Sequence, residues 1–379
     1  MLEKMKSFAK VFPYYIFNRL HNHPVYLQGL MPVLGWFYFI FHRRFYRIFF
    51  FYIAFFLVGA CLALFFKDYI SFLRVGQGLG LIGFVHFLSH YFSKKELDQM
   101  AFLALCITSI YAVIEAIFPL YNTYKDFFGH KFPIAIFYGT LGDSNFTASM
   151  LLSFGVIYLA QKRYAHFLWA CCLIFLTQSR GGIFASVFSL FLFLEFIFST
   201  KIWERLLKGI LLAILSYPIW IYLLYTNLSH STQALLHRLT SARFGIHSTY
   251  VKMFLEHPLG IGYFRGKEYY SLFGTVDRDS SLARGDLAVI CPLEQHSIFI
   301  QALAEFGIVG YLFFALFLWS FLHLILKIDR RLAWSWLAIL LSFLVINGLN
   351  GFGLYFFMAY IVVLAKRDEK NVLLLGKVF

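Results

Sequence analysis

Apolar runs of the length that crosses a bilayer recur along this chain, from Val25 almost to its C-terminus. They lie near 25–41, 48–66, 70–92, 100–120, 146–161, 167–178, 181–199, 209–226, 300–326, 333–349 and 352–365. A lone strand in lipid leaves its backbone unsatisfied, and the period-2 alternation of a barrel is absent, so the runs read as helices. The run at 167–178 is short for a span and is expected to extend into its flanks. Of the 379 residues, 60% are hydrophobic and only 14% charged, where a soluble domain carries about 25% charged residues. A water-soluble enzyme, a DNA-binding module and a disordered tail are thereby excluded.

Basic residues set the orientation. Arg43, Arg44 and Arg47; Lys94 and Lys95; Lys162 and Arg163; Lys201, Arg205 and Lys208; Lys327, Arg330 and Arg331; and Lys366, Arg367 and Lys370 occupy alternate connections. The positive-inside rule assigns all six clusters to the cytoplasm. The N-terminal Lys4, Lys6, Lys10 and Arg19 disagree unless residues 7–22 add an irregular span or lie along the interface. With the added span, the expectation is an all-α polytopic membrane protein of about twelve transmembrane helices, both termini inside. The net charge of +14 is then explained by cytoplasmic loops beside anionic lipid, and no nucleic-acid partner is expected.

The division expected is 1–226, N-terminal transmembrane helices; 227–295, a large periplasmic loop; and 296–379, C-terminal transmembrane helices. Four of the five cysteines (Cys61, Cys106, Cys171 and Cys172) lie inside apolar runs, and only Cys291 falls in a polar loop. No Cys/His spacing suggests zinc, and Asp277-Arg278-Asp279 reads as a solvated turn. Neither a metal nor a cofactor is expected.

Ionisable groups at membrane depth are candidates for function. Arg180, in TQSRGG, stands at the outer boundary between two apolar runs, as a snorkelling cation or as part of a site. The two glycines after it let a bulky ligand approach the backbone. Arg74 lies at the same predicted level, as a site cation or an ion-pair partner, while Glu115 and Glu195 are weaker candidates. Arg238 and Arg243, in LLHRLTSARFGIH, are five residues apart, so an unbroken helix would splay them. A guanidinium suits phosphate because its planar fork donates two hydrogen bonds and stays charged. His296 opens the helix after the long loop, in EQHSIFIQALAEFGIVGY, and an imidazole there can take a proton from a sugar hydroxyl.

These residues together resemble the O-antigen ligase and O-antigen polymerase family of bacterial inner-membrane glycosyltransferases. The resemblance rests on GTLGDSNFTASML with Asn145, on TQSRGG with Arg180, on SARFGIHSTYVKMFLEHPLGIGYF with Arg243, and on QHSIFIQALAEFGIVGY. In the last, His296 and Gly307 keep the family's H-x10-G spacing and Glu305 stands in its E-x-G pattern. Three departures concern the subfamily: Ser297 follows His296 where Asn is frequent, His247 stands where an aromatic such as Trp is common, and the R-x3-L pattern ends here on Phe184.

The resemblance implies transfer of a preassembled glycan from undecaprenyl pyrophosphate to an acceptor hydroxyl at the periplasmic face of the inner membrane. It implies Arg180, Arg243 and His296 as catalytic residues. Arg74, Asn145, Arg238, Arg265 and Glu305 are implied as further contacts to pyrophosphate or glycan. For a ligase the acceptor is a sugar of the lipid A core, and membrane lipids surround the protein. An O-antigen polymerase would extend a second lipid-linked glycan, and a protein O-oligosaccharyltransferase would modify a protein. A transporter of the same lipid would spread its cations through the membrane depth rather than crowd them at one side. A chain of about 380 residues, with no room for a large C-terminal periplasmic domain, favours the ligase.

Overall fold

A computed structural model describes residues 25–42, 45–117, 126–127, 130–131, 137, 144–191, 200–239, 243–263, 265–266, 269, 297–344, 352–366 and 377–378. His296, Cys291, Glu195 and residues 1–24 lie outside the described residues. The chain is built from helices: α1 (Val25–His42), α2 (Phe50–Phe65), α3 (Tyr69–Tyr91), α4 (Lys94–Ile117), α5 (Ser144–Ala160), α6 (Tyr164–Leu176), α7 (Arg180–Leu190), α8 (Thr200–Leu215) and α9 (Tyr217–Asn227). They continue as α10 (His230–Leu239), α11 (Arg243–Glu256), α12 (Ile298–Ile328), α13 (Arg330–Ser342) and α14 (Phe352–Ala365). Two-residue strands add two small antiparallel pairs, Phe45–Tyr46 with Lys377–Val378 and Asp126–Phe127 with His130–Lys131.

Local chemistry fixes several of these boundaries. Asp68 caps α3, Ser179 caps α7 and Asp329 caps α13, each side chain accepting from a backbone N–H of the first turn. Pro218 stands in the first turn of α9, where its missing donor costs little. Just before it, α8 and α9 meet at a bend of 53°.

Among the described residues, four helices are long and apolar enough to cross a membrane: Arg47–Phe65, Tyr69–Tyr91, Lys94–Ala116 and Ile298–Ile328. The bent pair Lys201–Leu215 and Tyr217–Asn227 makes a fifth if it is one span. Met31–His42, Ser144–Ala160, Tyr164–Leu176 and Phe352–Ala365 are apolar but shorter. The all-helical expectation therefore holds, and among the described residues four to five helices have the length and composition of a span.

The interior is assembled around α3, α5, α12, α13 and α14. Helix α14 packs on α3, α5 and α12, and α13 packs on α5, α7, α8 and α12. Aromatic rings fill it: Tyr52 stacks on Phe317 at 4.4 Å and Phe55 on Phe306 at 4.0 Å. A second, smaller core joins α9 and α11 to the first turns of α12, through Ile221, Phe244, Tyr250, Met253, Ile300 and Ala304.

Cross-helix contacts sort the helix ends into two levels. At one end Gln161 donates to Asp98 (2.8 Å), Lys366 donates to the Ser89 carbonyl (2.7 Å), and Arg330 lies 3.7 Å from Glu204. Lys366 and Arg330, from two of the basic connections, meet partners at this end. At the opposite end Ser179 donates to Asn145 (2.9 Å) and the Ile298 N–H donates to the Phe343 carbonyl (3.2 Å).

Candidate active site

Helix α12 is broken. Gly307 adopts φ 69° and ψ −172°, a conformation open essentially to glycine alone. The break is filled by the turn His257–Gly262, read in the sequence as HPLGIG. Ile261 N–H donates to the Ala304 carbonyl (3.1 Å), Gly262 N–H to the Glu305 carbonyl (3.0 Å), and Ile308 N–H to the Pro258 carbonyl (2.9 Å). The groups that a continuous helix would pair internally are thus paired by the turn, as buried irregular backbone requires. Gly260, at φ 99°, faces Gly307 so closely that a Cβ on Gly260 would meet the Gly307 nitrogen at 2.7 Å. A 31-residue helix rises about 46 Å, half as long again as a hydrocarbon core of about 30 Å. The segment beyond the break, 308–328, is long enough to cross that core alone, and residues 298–306 form a short half-helix before it.

Arg180 is the first residue of α7 and is exposed. The preceding Ser179, buried, both caps α7 and donates to Asn145 at the start of α5. Trp334 of α13 donates its indole N–H to the Phe188 carbonyl of α7 at 3.2 Å. Arg180 and Ser342 each stand eight residues beyond that rung, about 12 Å of helix. With Ile298 bonded to Phe343, Arg180 and the start of the half-helix share one level.

Arg243 is the first residue of α11, which packs directly on the half-helix and on α9. It is half-buried and close enough to the Tyr217 hydroxyl to act on it electrostatically. That hydroxyl hydrogen-bonds His247 Nδ1 at 2.7 Å, and the two rings meet edge to face. His247 is buried (1% exposed) and so fills an aromatic role. Arg238 lies in α10, so the chain is not one helix through both arginines. His296, outside the described residues, directly precedes Ser297, the N-cap of α12. Arg180, Arg243 and His296 are therefore each at or beside a helix start, where backbone N–H groups and the helix dipole favour an anion.

The half-helix carries a polar stripe that the motifs did not predict as a unit. Ser297, Gln301 and Glu305 recur every four residues and are 0%, 0% and 1% exposed. Gln301 Nε2 donates to Glu305 Oε2 at 2.9 Å, while Ser297 Oγ and Gln301 Oε1 have no hydrogen-bond partner among the described residues. Buried polar atoms of this kind call for water or a ligand. The four-residue spacing was visible in HSIFIQALAE; its burial was not.

Two further candidates sit at the α2–α3 corner. Arg74, half-buried in the second turn of α3, donates to Gln77 at 3.1 Å. Arg265 lies 3.8 Å from Asp68 and over the rings of Phe66 and Tyr269. The Ser71 hydroxyl shares its one proton between the Asp68 carboxylate and the Tyr263 carbonyl, so this corner ties down the chain that leaves the HPLGIG turn. Desolvation pushes the Asp68 carboxyl up, but the Ser71 hydroxyl, the backbone N–H groups of Ser71 and Ile70, and Arg265 together hold it below 3.8. Its contribution is then complete above 3.8 and is lost as the pH falls through the lower folded value. Asp68→Asn keeps a capping oxygen but loses the charge-assisted share of these bonds, about 1 kcal/mol of stability at neutral pH, with the variant and wild type converging in acid. Thermal melts across pH check this.

Residues 165–315 match the family model described as O-antigen ligase. No curated protein and no solved structure matches the chain. The matched stretch contains Arg180, Arg238, Arg243, Arg265, His296 and Glu305, together with both glycines of the break; Arg74 and Asn145 lie before it.

Proposed function

We propose that this chain, with the O-antigen ligase pattern over 165–315 and several apolar helices, is a multi-pass glycan transferase of the bacterial inner membrane. In this reading it moves a preassembled glycan from undecaprenyl pyrophosphate to a sugar hydroxyl of the lipid A core, at the periplasmic face. The observation that carries it is the half-helix 298–306, with Arg180 level with its start and the helix of Arg243 packed against its side.

Pyrophosphate is a good leaving group, so the site needs cations rather than a strong acid. Arg180 and Arg243, each backed by a helix start, would hold the charge that develops as the anomeric C–O bond breaks. His296 would accept the proton of the acceptor hydroxyl as that oxygen attacks the anomeric carbon. A single displacement inverts that centre. Asn145, joined to Ser179, would set the approach of Arg180, and Glu305 would line the acceptor side through Gln301. Arg74, Arg238 and Arg265 are further contacts for pyrophosphate or glycan, with Arg265 also fastening the loop that covers the sugars and excludes water.

Arg180→Lys should lower transfer roughly 10²–10³-fold without rescue, because an ammonium lacks the fork. The rate of glycan transfer by purified variant checks this. The reading itself is tested by reconstitution with lipid-linked donor and lipid A-core. Glycosylated lipid A-core supports it. Lengthened lipid-linked glycan instead identifies a polymerase, modified protein an oligosaccharyltransferase, and vectorial movement without a new bond a transporter.

A further inference from the structure

The basic end of the bundle holds a cleft of about 510 Å³ between the start of α4 and the start of α6, lined by Lys94, Lys95, Asp98, Gln99, Phe102 and Arg163. Its electrostatics are unusual for a helix start. Lys94 and Lys95 occupy the first turn of α4, where the positive end of the dipole disfavours cations. Glu96 is turned back onto Ser93, taking its N–H at 2.8 Å and its hydroxyl at 2.9 Å. Asp98, which also lines the cleft, accepts from Gln161 at 2.8 Å. Arg163, exposed, completes the cationic rim from the other helix.

Three cations against one carboxylate at this cleft, two of the cations against a helix dipole, leave a net positive charge that a bound anion stabilises. The floor adds a second requirement. Phe102 is 42% exposed, yet its ring is held by His166 at 5.7 Å and Trp169 at 5.9 Å. A cationic rim over an apolar floor, on an apolar helix, matches a headgroup phosphate with its acyl chain beside it. We propose that this cleft binds the phosphate of an anionic phospholipid, at the opposite end of the bundle from the transfer site. The group recognised is a phosphate monoanion or diester, which a free phosphate also carries, so both sources enter the test.

Binding of phosphatidylglycerol to the delipidated full-length protein in neutral detergent is measured by native mass spectrometry, with phosphatidylcholine as the zwitterionic control. Saturable binding of phosphatidylglycerol well above that of phosphatidylcholine is expected. A variant carrying Lys94→Gln, Lys95→Gln and Arg163→Gln should bind roughly a hundredfold more weakly, at about fivefold per cation. A second variant, Lys201→Gln, Arg205→Gln and Lys327→Gln, removes the same charge from the same end outside the cleft and should bind within a few-fold of wild type. If the triple cleft variant fails to fold, the single variants Lys95→Gln and Arg163→Gln carry the same test at fivefold each. Displacement of the lipid by millimolar inorganic phosphate means the phosphate alone is read; resistance to displacement means the acyl chain over Phe102 contributes. Equal binding of the two lipids, unchanged binding in the cleft variants, or equal loss in both triple variants overturns the proposal.

Discussion

Gly307→Ala should leave little folded protein. The residue holds φ 69° and ψ −172°, where any side chain is strained by about 1–3 kcal/mol. The new methyl would also run into the Leu259 carbonyl group and the Gly260 nitrogen. Those are backbone atoms pinned by three hydrogen bonds, so they cannot swing aside as the tip of a side chain can. Strain and collision together approach the whole margin of about 5–15 kcal/mol that holds a domain folded. The measurement is the yield of monodisperse protein after detergent extraction, with the melting temperature of what remains. Gly209→Ala is the control, since a Cβ there meets nothing within 4 Å and helix propensity favours alanine. If the two variants behave alike, the turn is not what holds the broken helix.

His296→Ala should abolish transfer while the protein still inserts and folds. A positioned base contributes roughly 10²–10⁴-fold. A proton acceptor and a spacer are separated by pH: the wild-type rate should rise as the imidazole loses its proton, and the residual rate of the alanine variant should not follow. Normal transfer by His296→Ala would refute the assignment.

Most helices were legible because apolar length is a local property. The run 70–92 is α3, 48–66 is α2 with its preceding turn, and 167–178 does extend into its flank, to Tyr164. Arg238 and Arg243 fall in different helices, His230–Leu239 and Arg243–Glu256, which their spacing alone did not predict. The count of spans was less legible, since hydropathy alone does not distinguish a 13-residue helix such as α6 from one that crosses fully. What sequence could not reveal is pairing between distant stretches. HPLGIG and the E-x-G pattern were each recognised, but nothing local says that Gly260 faces Gly307 across more than forty residues. The same holds for Asp68, whose partner Arg265 lies almost two hundred residues further along the chain.

The joint between residues 257–262 and 304–308 closes the intervening chain into a ring by main-chain bonds alone. Such a clasp is indifferent to what it encloses, and doubling the enclosed length adds only about 0.6 kcal/mol of closure entropy. Lengthening the chain between residues 269 and 296 should therefore leave the helical frame as it is.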